Sequence, residues 1–175
     1  MYNFLNDYTF IDITPIVEPV TVAEAKLYCR VSSATEDALF AEMITQARES
    51  IEKATNLSLI PRQVNVWFSN SSSGYELPFG PITYILGLYD AQNNQISSED
   101  YIIIGDQYPK VRFPNYENMS AQYNAGFECL PKDLKIAILD QVSYDYENRG
   151  LDSNTGICEK TWRACQRWTR LSPIL

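Results

Sequence analysis

Apolar residues recur with helical spacing over a long stretch in the first third of the chain. Between residues 36 and 56 they fall three or four positions apart, at Phe40, Met43, Ile44, Ala47, Ile51 and Ala54. The charged residues of this stretch fall on the other side, at Glu42, Arg48, Glu49, Glu52 and Lys53. This spacing predicts an amphipathic helix of about five turns, with one face on a core and the charged face in water.

A shorter helix is predicted just upstream. Thr21 and Glu24 have the spacing of a capping box, in which each side chain satisfies a backbone N–H of the first turn. The helical period breaks at residues 31–35 and then resumes in the long helix. Asn56 is a residue type that tolerates the left-handed conformation at a helix end. The helices are therefore predicted within residues 21–56.

The middle of the chain changes to a period of two. Val64, Val66 and Phe68 alternate with polar residues, which places them on one face of a strand. Further short β-branched and aromatic runs follow, and the turn-rich residues 90–95 predict a hairpin between the strands on either side. About six short strands over residues 63–124 predict a small antiparallel sheet or a barrel-like sandwich, not a parallel sheet.

Helical spacing returns over residues 131–149. Pro131 suits the first turn of a helix, because its missing N–H costs nothing there. The apolar stripe of this helix comprises Leu134, Ala137, Ile138, Gln141, Val142 and Tyr146. We expect it to pack on the long helix. The predicted fold class is α+β: a helical bundle of three or four helices packed with a small antiparallel β region inserted between the second and third main helices.

The end of the chain differs in charge from the rest. Of the 14 basic residues, 4 lie in residues 158–175 beside a single acid, whereas 21 acids lie in residues 1–157. A polar linker, residues 151–156, separates the two parts. We therefore predict one domain over residues 1–156 and a C-terminal helix or arm over residues 157–175.

The net charge of −8 makes the body a poor surface for holding DNA, because affinity for phosphates comes from lysine and arginine. Such a body would suit a surface that DNA passes without binding. The same acids would equally serve to keep the protein soluble. No stretch approaches the roughly 20 apolar residues that span a bilayer, and the N-terminus lacks the pattern of a signal peptide. We expect a cytoplasmic protein with no membrane contact.

The residue types needed for most catalysis and metal binding are scarce. The chain contains no histidine. Cys29, Cys129, Cys158 and Cys165 form no C-x-x-C pair, so we predict no metal site and expect reduced thiols. No glycine-rich phosphate loop precedes a helix. We predict no catalytic, cofactor-binding or metal-binding residues, and no enzyme activity.

Two ordered blocks of sequence carry a resemblance to a known family. The first contains EPVT at 18–21, AEAK at 23–26, RV at 30–31, DAL at 37–39, ARE at 47–49 and TN at 55–56. The second contains YNAGF at 123–127, LPKDLK at 130–135, AI at 137–138 and YENR at 146–149. In this order, flanking a β-rich middle, they resemble the head-tail connector (adaptor) proteins of long-tailed bacteriophages. The resemblance covers about residues 18–150.

The resemblance implies a structural virion protein with no cofactor. Members of that family form a closed ring of about twelve copies beneath the portal protein, which extends the DNA channel. The other side of the ring receives stopper or other tail and neck proteins, and DNA passes through without sequence-specific binding. The implied location is the virion neck, after assembly in the host cytoplasm.

Two interpretations of the C-terminal segment remain open. It is either a helix packed back on the domain or an arm that binds a partner, since tryptophan and arginine are enriched at interface hot spots. In the resembled family the C-terminal segment reaches toward the portal. The resemblance therefore makes portal-binding candidates of Trp162, Arg163, Arg167, Trp168, Arg170, Ile174 and Leu175.

An alternative function of another class is a β module that binds carbohydrate or peptide. The 12 tyrosines would supply its recognition surface. The candidates in the β region are Tyr75, Tyr84, Tyr89, Tyr101, Tyr108 and Tyr116. This alternative accounts for the strands and leaves the two ordered helical blocks unexplained.

Overall fold

In the computed structural model of the protein, the structure describes residues 8–12, 16–69, 74–112, 118–149 and 156–169. These residues contain four α-helices, namely α1 (Val22–Cys29), α2 (Asp37–Thr55), α3 (Lys132–Glu147) and α4 (Glu159–Trp168). They also contain seven strands, namely β1 (Tyr8–Asp12), β2 (Arg62–Ser69), β3 (Tyr75–Glu76), β4 (Ile82–Asp90), β5 (Ile102–Ile104), β6 (Lys110–Arg112) and β7 (Asn118–Ala125).

The predicted α+β class is confirmed, with four helices and two antiparallel sheets in the part of the chain described. The chain divides into a β unit, within Met1–Ile16 and Pro61–Phe127, and a helical unit, within Val17–Ile60 and Glu128–Leu175. The finer architecture, a bundle packed with an inserted β region, stays a prediction. The division into one domain over 1–156 and an arm over 157–175 also stays a prediction.

The core of the helical unit follows the apolar stripes read from the sequence. On α2 the buried apolar residues are Phe40, Met43, Ile44, Ala47 and Ile51, and on α3 the buried residues are Leu134, Ala137, Ile138, Gln141 and Val142. The two helices pack on each other, and the Phe40 ring stacks on that of Tyr146 with centroids 4.9 Å apart. The predicted packing of the long helix on the third main helix is confirmed.

One part of the helical prediction is wrong. The sequence predicts Arg48 and Glu52 on the solvent-exposed side of α2, but both are buried, at 3% and 7% exposure. Arg48 donates hydrogen bonds to Glu18 from Nε (2.8 Å) and to Glu52 from Nη1 (2.7 Å). Glu52 also accepts from the backbone N–H of Leu59 at 2.7 Å. Burial is tolerated because each charge has an opposite charge and hydrogen bonds beside it.

Helix boundaries agree with the local signals. The Thr21 hydroxyl accepts from the Glu24 N–H, and the Glu24 carboxylate accepts from the Thr21 N–H, so the predicted capping box is formed. Asn56 ends α2 in the left-handed region with φ 55°, as predicted. The Glu24 carboxylate also accepts from the Lys135 ammonium at 2.6 Å, which ties α1 to α3.

The pKa of Glu24 is lowered to about 2, first by the Lys135 hydrogen bond and then by the hydrogen bonds from Thr21. A lowered pKa in the folded state stabilises the fold wherever the carboxylate is ionised. Glu24→Gln keeps an acceptor for the cap and removes the charge. We expect the wild type to be more stable by about 1 kcal/mol or less at pH 7, because both groups are partly exposed.

This difference should shrink as the pH falls from 4.5, the ordinary pKa of a glutamate, toward 2. Urea unfolding of the two proteins across that window measures it. A constant difference at every pH would show that charge on Glu24 does not contribute.

The β unit contains a four-stranded sheet in the order β1-β2-β7-β4 and a three-stranded sheet in the order β3-β6-β5. Val64, Val66 and Phe68 lie on the buried face of β2, as predicted, and the fully buried Tyr123 of β7 donates to the Pro78 carbonyl. The hairpin expected at 90–95 forms only as a tight turn with a Tyr89–Gln95 bridge. The next strand, β5, pairs with β6 instead.

Candidate docking surface

The inner face of α4 is fixed on α3. Thr161 and Cys165 are fully buried, and the Thr161 hydroxyl donates to the Ala137 carbonyl at 3.0 Å. The buried Gln141 side chain holds the start of the helix, because its oxygen accepts from the Cys158 N–H and its nitrogen donates to the Gly156 carbonyl. Burial raises the pKa of the Cys165 thiol to about 11. The inner face of the first two turns of α4 is therefore part of the helical unit's core.

Two acids of α3 hold the flanks of α4. The indole N–H of Trp168 donates to Asp133 Oδ2 at 2.7 Å. Asp140 accepts from the Lys160 ammonium at 2.5 Å and from the Tyr28 hydroxyl at 2.6 Å. The hydrogen bond from Tyr28 to this carboxylate raises the pKa of Tyr28.

The outer face of α4 carries the exposed part of the predicted site. Trp162 is 44% exposed, and Arg163 and Arg167 are also exposed. Arg163 pairs with Glu159 one turn away at 2.5 Å, an exposed contact that adds little stability. The outer face therefore offers an indole and two guanidinium groups on one short, well-anchored helix.

The seven candidate residues are thus not equivalent. Trp162, Arg163 and Arg167 face water, whereas Trp168 is half-buried and hydrogen-bonded to α3. Arg170, Ile174 and Leu175 lie outside the described residues. Their role in binding the portal stays a prediction.

Helical spacing puts Cys158, Trp162, Cys165 and Thr169 on one side of this helix, with Trp168 beside them. The buried residues are instead Thr161, Ala164 and Cys165. Small side chains let α4 approach α3 closely, and the carbonyl of Ala137 satisfies the Thr161 hydroxyl. The partners Asp133, Asp140 and Gln141 lie 17 to 35 residues earlier than the residues they contact, and no local signal connects them to α4.

The five described tyrosines of the alternative function do not form one exposed surface. Tyr75 stacks on Phe68 with centroids 4.0 Å apart, and Tyr75 and Tyr101 pack against the core of the β unit. Tyr84 is exposed at 65%, whereas Tyr89 and Tyr108 are half-buried. Tyr116 lies outside the described residues.

The four cysteines are free thiols. Across the described ranges, no three or more Cys, Asp or Glu side chains are placed to hold a metal ion. Nor does any described helix have the length and apolar character that crossing a membrane requires.

The described residues define the class of the fold: an α+β protein with four helices and two antiparallel sheets. A model of the family described as Phage gp6-like head-tail connector protein matches residues 19–113. The chain belongs to this family. No curated protein sequence matches it.

Solved structures of gene transfer agent (GTA) particles contain a similar fold. A chain from the neck of an empty GTA particle, computed with C6 symmetry, superposes with a TM-score of 0.71 at 21% identity, covering 93% of this chain and 96% of that one. A chain from the virion of a native gene transfer agent (GTA) particle gives 0.70 at 22% identity, covering 93% and 95%. A chain from the neck of the native particle, computed with C12 symmetry, gives 0.70 at 18% identity, covering 94% and 96%.

Proposed function

We propose that the protein is the adaptor of a virion neck. In this function about twelve copies close into a ring beneath the portal protein, extend the DNA channel and present a docking surface for stopper or other tail proteins. The observation that carries the proposal is family membership together with a fold shared, over nearly the whole chain, with neck chains of symmetric particles. Assembly takes place in the host cytoplasm, before the ring becomes part of the virion.

The action is docking, without covalent chemistry. The net charge of −8 fits a channel that DNA crosses without being held, because few cations are available to replace the counterions of the phosphates. DNA would therefore pass through the ring with no sequence-specific contact.

We further propose that the portal binds the outer face of α4 together with residues 170–175. Trp162 would be the apolar anchor, and Arg163 and Arg167 would pair with acidic groups of the portal. Arg170, Ile174 and Leu175 would extend the contact, and Trp168 would help to orient the helix through Asp133. An anchored helix loses little conformational entropy on binding, which favours affinity.

The triple variant Trp162→Ala/Arg163→Ala/Arg167→Ala tests this surface. We expect it to fold like the wild type, because all three side chains point to water, and to bind the portal at least about 30-fold more weakly, since one buried tryptophan anchor is commonly worth about 2 kcal/mol. Sedimentation with purified portal rings and negative-stain images measure the loading.

A matched control removes one exposed tryptophan and two exposed cations elsewhere: Trp67→Ala/Lys53→Ala/Lys132→Ala. It should load normally. Substitutions on the outer face test portal binding more directly than removal of residues 157–175. Removal would also uncover α3, because the inner face of α4 packs on it. A wild-type protein that never forms rings on portals would refute the proposed function, whereas normal loading of the triple variant would place the portal contact elsewhere.

A further inference from the structure

The three-stranded sheet of the β unit has an unusual exposed face. In its register Ile102 lies opposite Arg112, and Ile104 lies opposite the half-buried Lys110, so these four side chains share one face of the sheet. On its other side Lys110 lies opposite Glu76 of β3, so the face carries two cations and one acid. Ile102 and Ile104 are 55% and 58% exposed, and Arg112 is exposed as well. Val111, which points to the opposite face, is fully buried. We call this apolar and basic surface the sheet face.

The charge of the sheet face is opposite to that of the protein. Within Pro61–Phe127 the basic residues are Arg62, Lys110 and Arg112, and Arg62 is buried. The accessible positive charge of this unit is therefore concentrated on the sheet face, beside two exposed isoleucines. Such a surface is complementary to an apolar groove bordered by acids.

The solvent side of α2 provides a groove of that kind. It is a shallow depression lined by Ala41, Glu42, Thr45, Gln46 and Glu49, and its surface is formed mostly by carbon atoms of these side chains. Glu49 lies 3.6 Å from Arg48 and still has 65% of its side chain exposed. Glu42, one helical turn before Thr45, is also exposed. We call this surface the α2 groove.

We propose that the sheet face of one copy docks into the α2 groove of the next copy around the ring. The inference rests on the proposed function and specifies its subunit contact. Ile102 and Ile104 would cover the apolar floor of the groove, while Lys110 and Arg112 would approach Glu42 and Glu49. The two surfaces differ, so the contact is heterologous, which is the kind of contact that closes into a ring.

The spacing of the charges agrees with this pairing. Glu42 and Glu49 are seven residues apart on a helix, or about 10.5 Å. Lys110 and Arg112 are two residues apart on a strand, or about 6.6 Å, and their long side chains can diverge to reach both acids. The occupant is a second copy and not nucleic acid, because two cations on a protein of net charge −8 supply little phosphate affinity.

The test uses two full-length variants with opposite charge reversals. The first, Lys110→Glu/Arg112→Glu, makes the sheet face acidic. The second, Glu42→Lys/Glu49→Lys, makes the α2 groove basic. Each alone would place like charges at every contact, so we expect ring formation on portals to fall at least about tenfold for each. Native mass spectrometry and negative-stain images count the rings, and circular dichroism checks that each variant is folded.

An equal mixture of the two variants is the decisive sample. In alternating order the acidic sheet face of the first meets the basic groove of the second, and the unchanged basic face of the second meets the unchanged acidic groove of the first. We expect rings to return in the mixture, with both chains present in a one-to-one ratio. Two controls match the charge changes at other exposed positions: Lys53→Glu/Lys132→Glu and Glu99→Lys/Asp106→Lys.

The outcomes separate this inference from the function on which it rests. If the wild type forms rings and both reversals also form them, the subunit contact lies elsewhere and the proposed function stands. If neither reversal variant forms rings and the mixture forms none either, the sheet face binds another acidic partner and not the α2 groove. Absence of rings from the wild type itself would refute the proposed function. Failure of each variant alone, with rescue by the mixture, supports the contact.

Discussion

Replacing Arg48 by methionine is expected to destabilise the protein by about 3–5 kcal/mol, because it leaves Glu18 and Glu52 without their buried cation. The guanidinium is bound from two directions: Nε and Nη2 donate to the Glu18 carboxylate at 2.8 and 3.1 Å, and Nη1 donates to Glu52 at 2.7 Å. Hydrogen bonding to these acids raises the pKa of Arg48 against the opposing effect of burial. Methionine fills much of the same volume and supplies no charge.

Lys53→Met is the matched control, since it removes an exposed cation from the same helix. It should change the free energy of unfolding by no more than about 0.5 kcal/mol. Urea titration followed by circular dichroism measures both variants at pH 7. Equal stabilities of Arg48→Met and the wild type would show that the buried charges contribute no net stability.

Truncating Ile51 or Ile138 to alanine should cost about 2–5 kcal/mol in each case. Both side chains are fully buried, one on α2 and one on α3, where the two helices pack on each other. Each truncation removes apolar contacts and leaves a cavity that the surrounding helices fill only in part.

Ile136→Ala provides the comparison on the same helix, because Ile136 is 49% exposed. Its loss should cost well under half as much as that of Ile138. Thermal unfolding of the three variants measures the order. If Ile51→Ala and Ile138→Ala both melt at the wild-type temperature, the assignment of these residues to the core is wrong.

The two charge clusters of the helical unit have different consequences for assembly. Arg48 is turned inward to Glu18 and Glu52, so it stabilises the subunit before any partner binds. Glu42 and Glu49 are exposed on the same helix, where we propose the contact between copies. A reversal at Arg48 would therefore act on folding, whereas a reversal at Glu42 would act on ring formation. A reversal at Glu49 would also remove its 3.6 Å contact with Arg48, which is why the fold of that variant is checked.

The elements that rest on local chemistry could be predicted from the sequence. The capping box of Thr21 and Glu24, the left-handed Asn56 and the apolar stripe of α2 depend on residues within a few turns of each other. The alternation in β2 likewise depends on adjacent residues. The same order of helical and β segments carries the family resemblance, which the family match confirms.

The packing of α4 could be predicted only in part from local sequence. The sequence predicted a C-terminal helix bearing tryptophan and arginine, and α4 is present. Which of its faces packs depends on Ala137, Gln141, Asp133 and Asp140, all on another helix. Helical periodicity cannot distinguish a tryptophan that packs from one that faces water when both sides of a short helix carry large residues.

Long-range contacts decided what local spacing could not. The helical spacing predicts that Arg48 and Glu52 lie on the exposed face of α2. Both are buried, because Glu18, some 30 residues earlier, and the backbone of Leu59 provide the opposite charge and the hydrogen bonds that burial requires. The pairing of β4 is equally non-local, because β4 bonds to β7 rather than to the next strand. Periodicity is a property of one segment, so it shows which residues of that segment share a face. The surface against which that face packs belongs to chain segments tens of residues away. Only the tertiary structure specifies which segments these are.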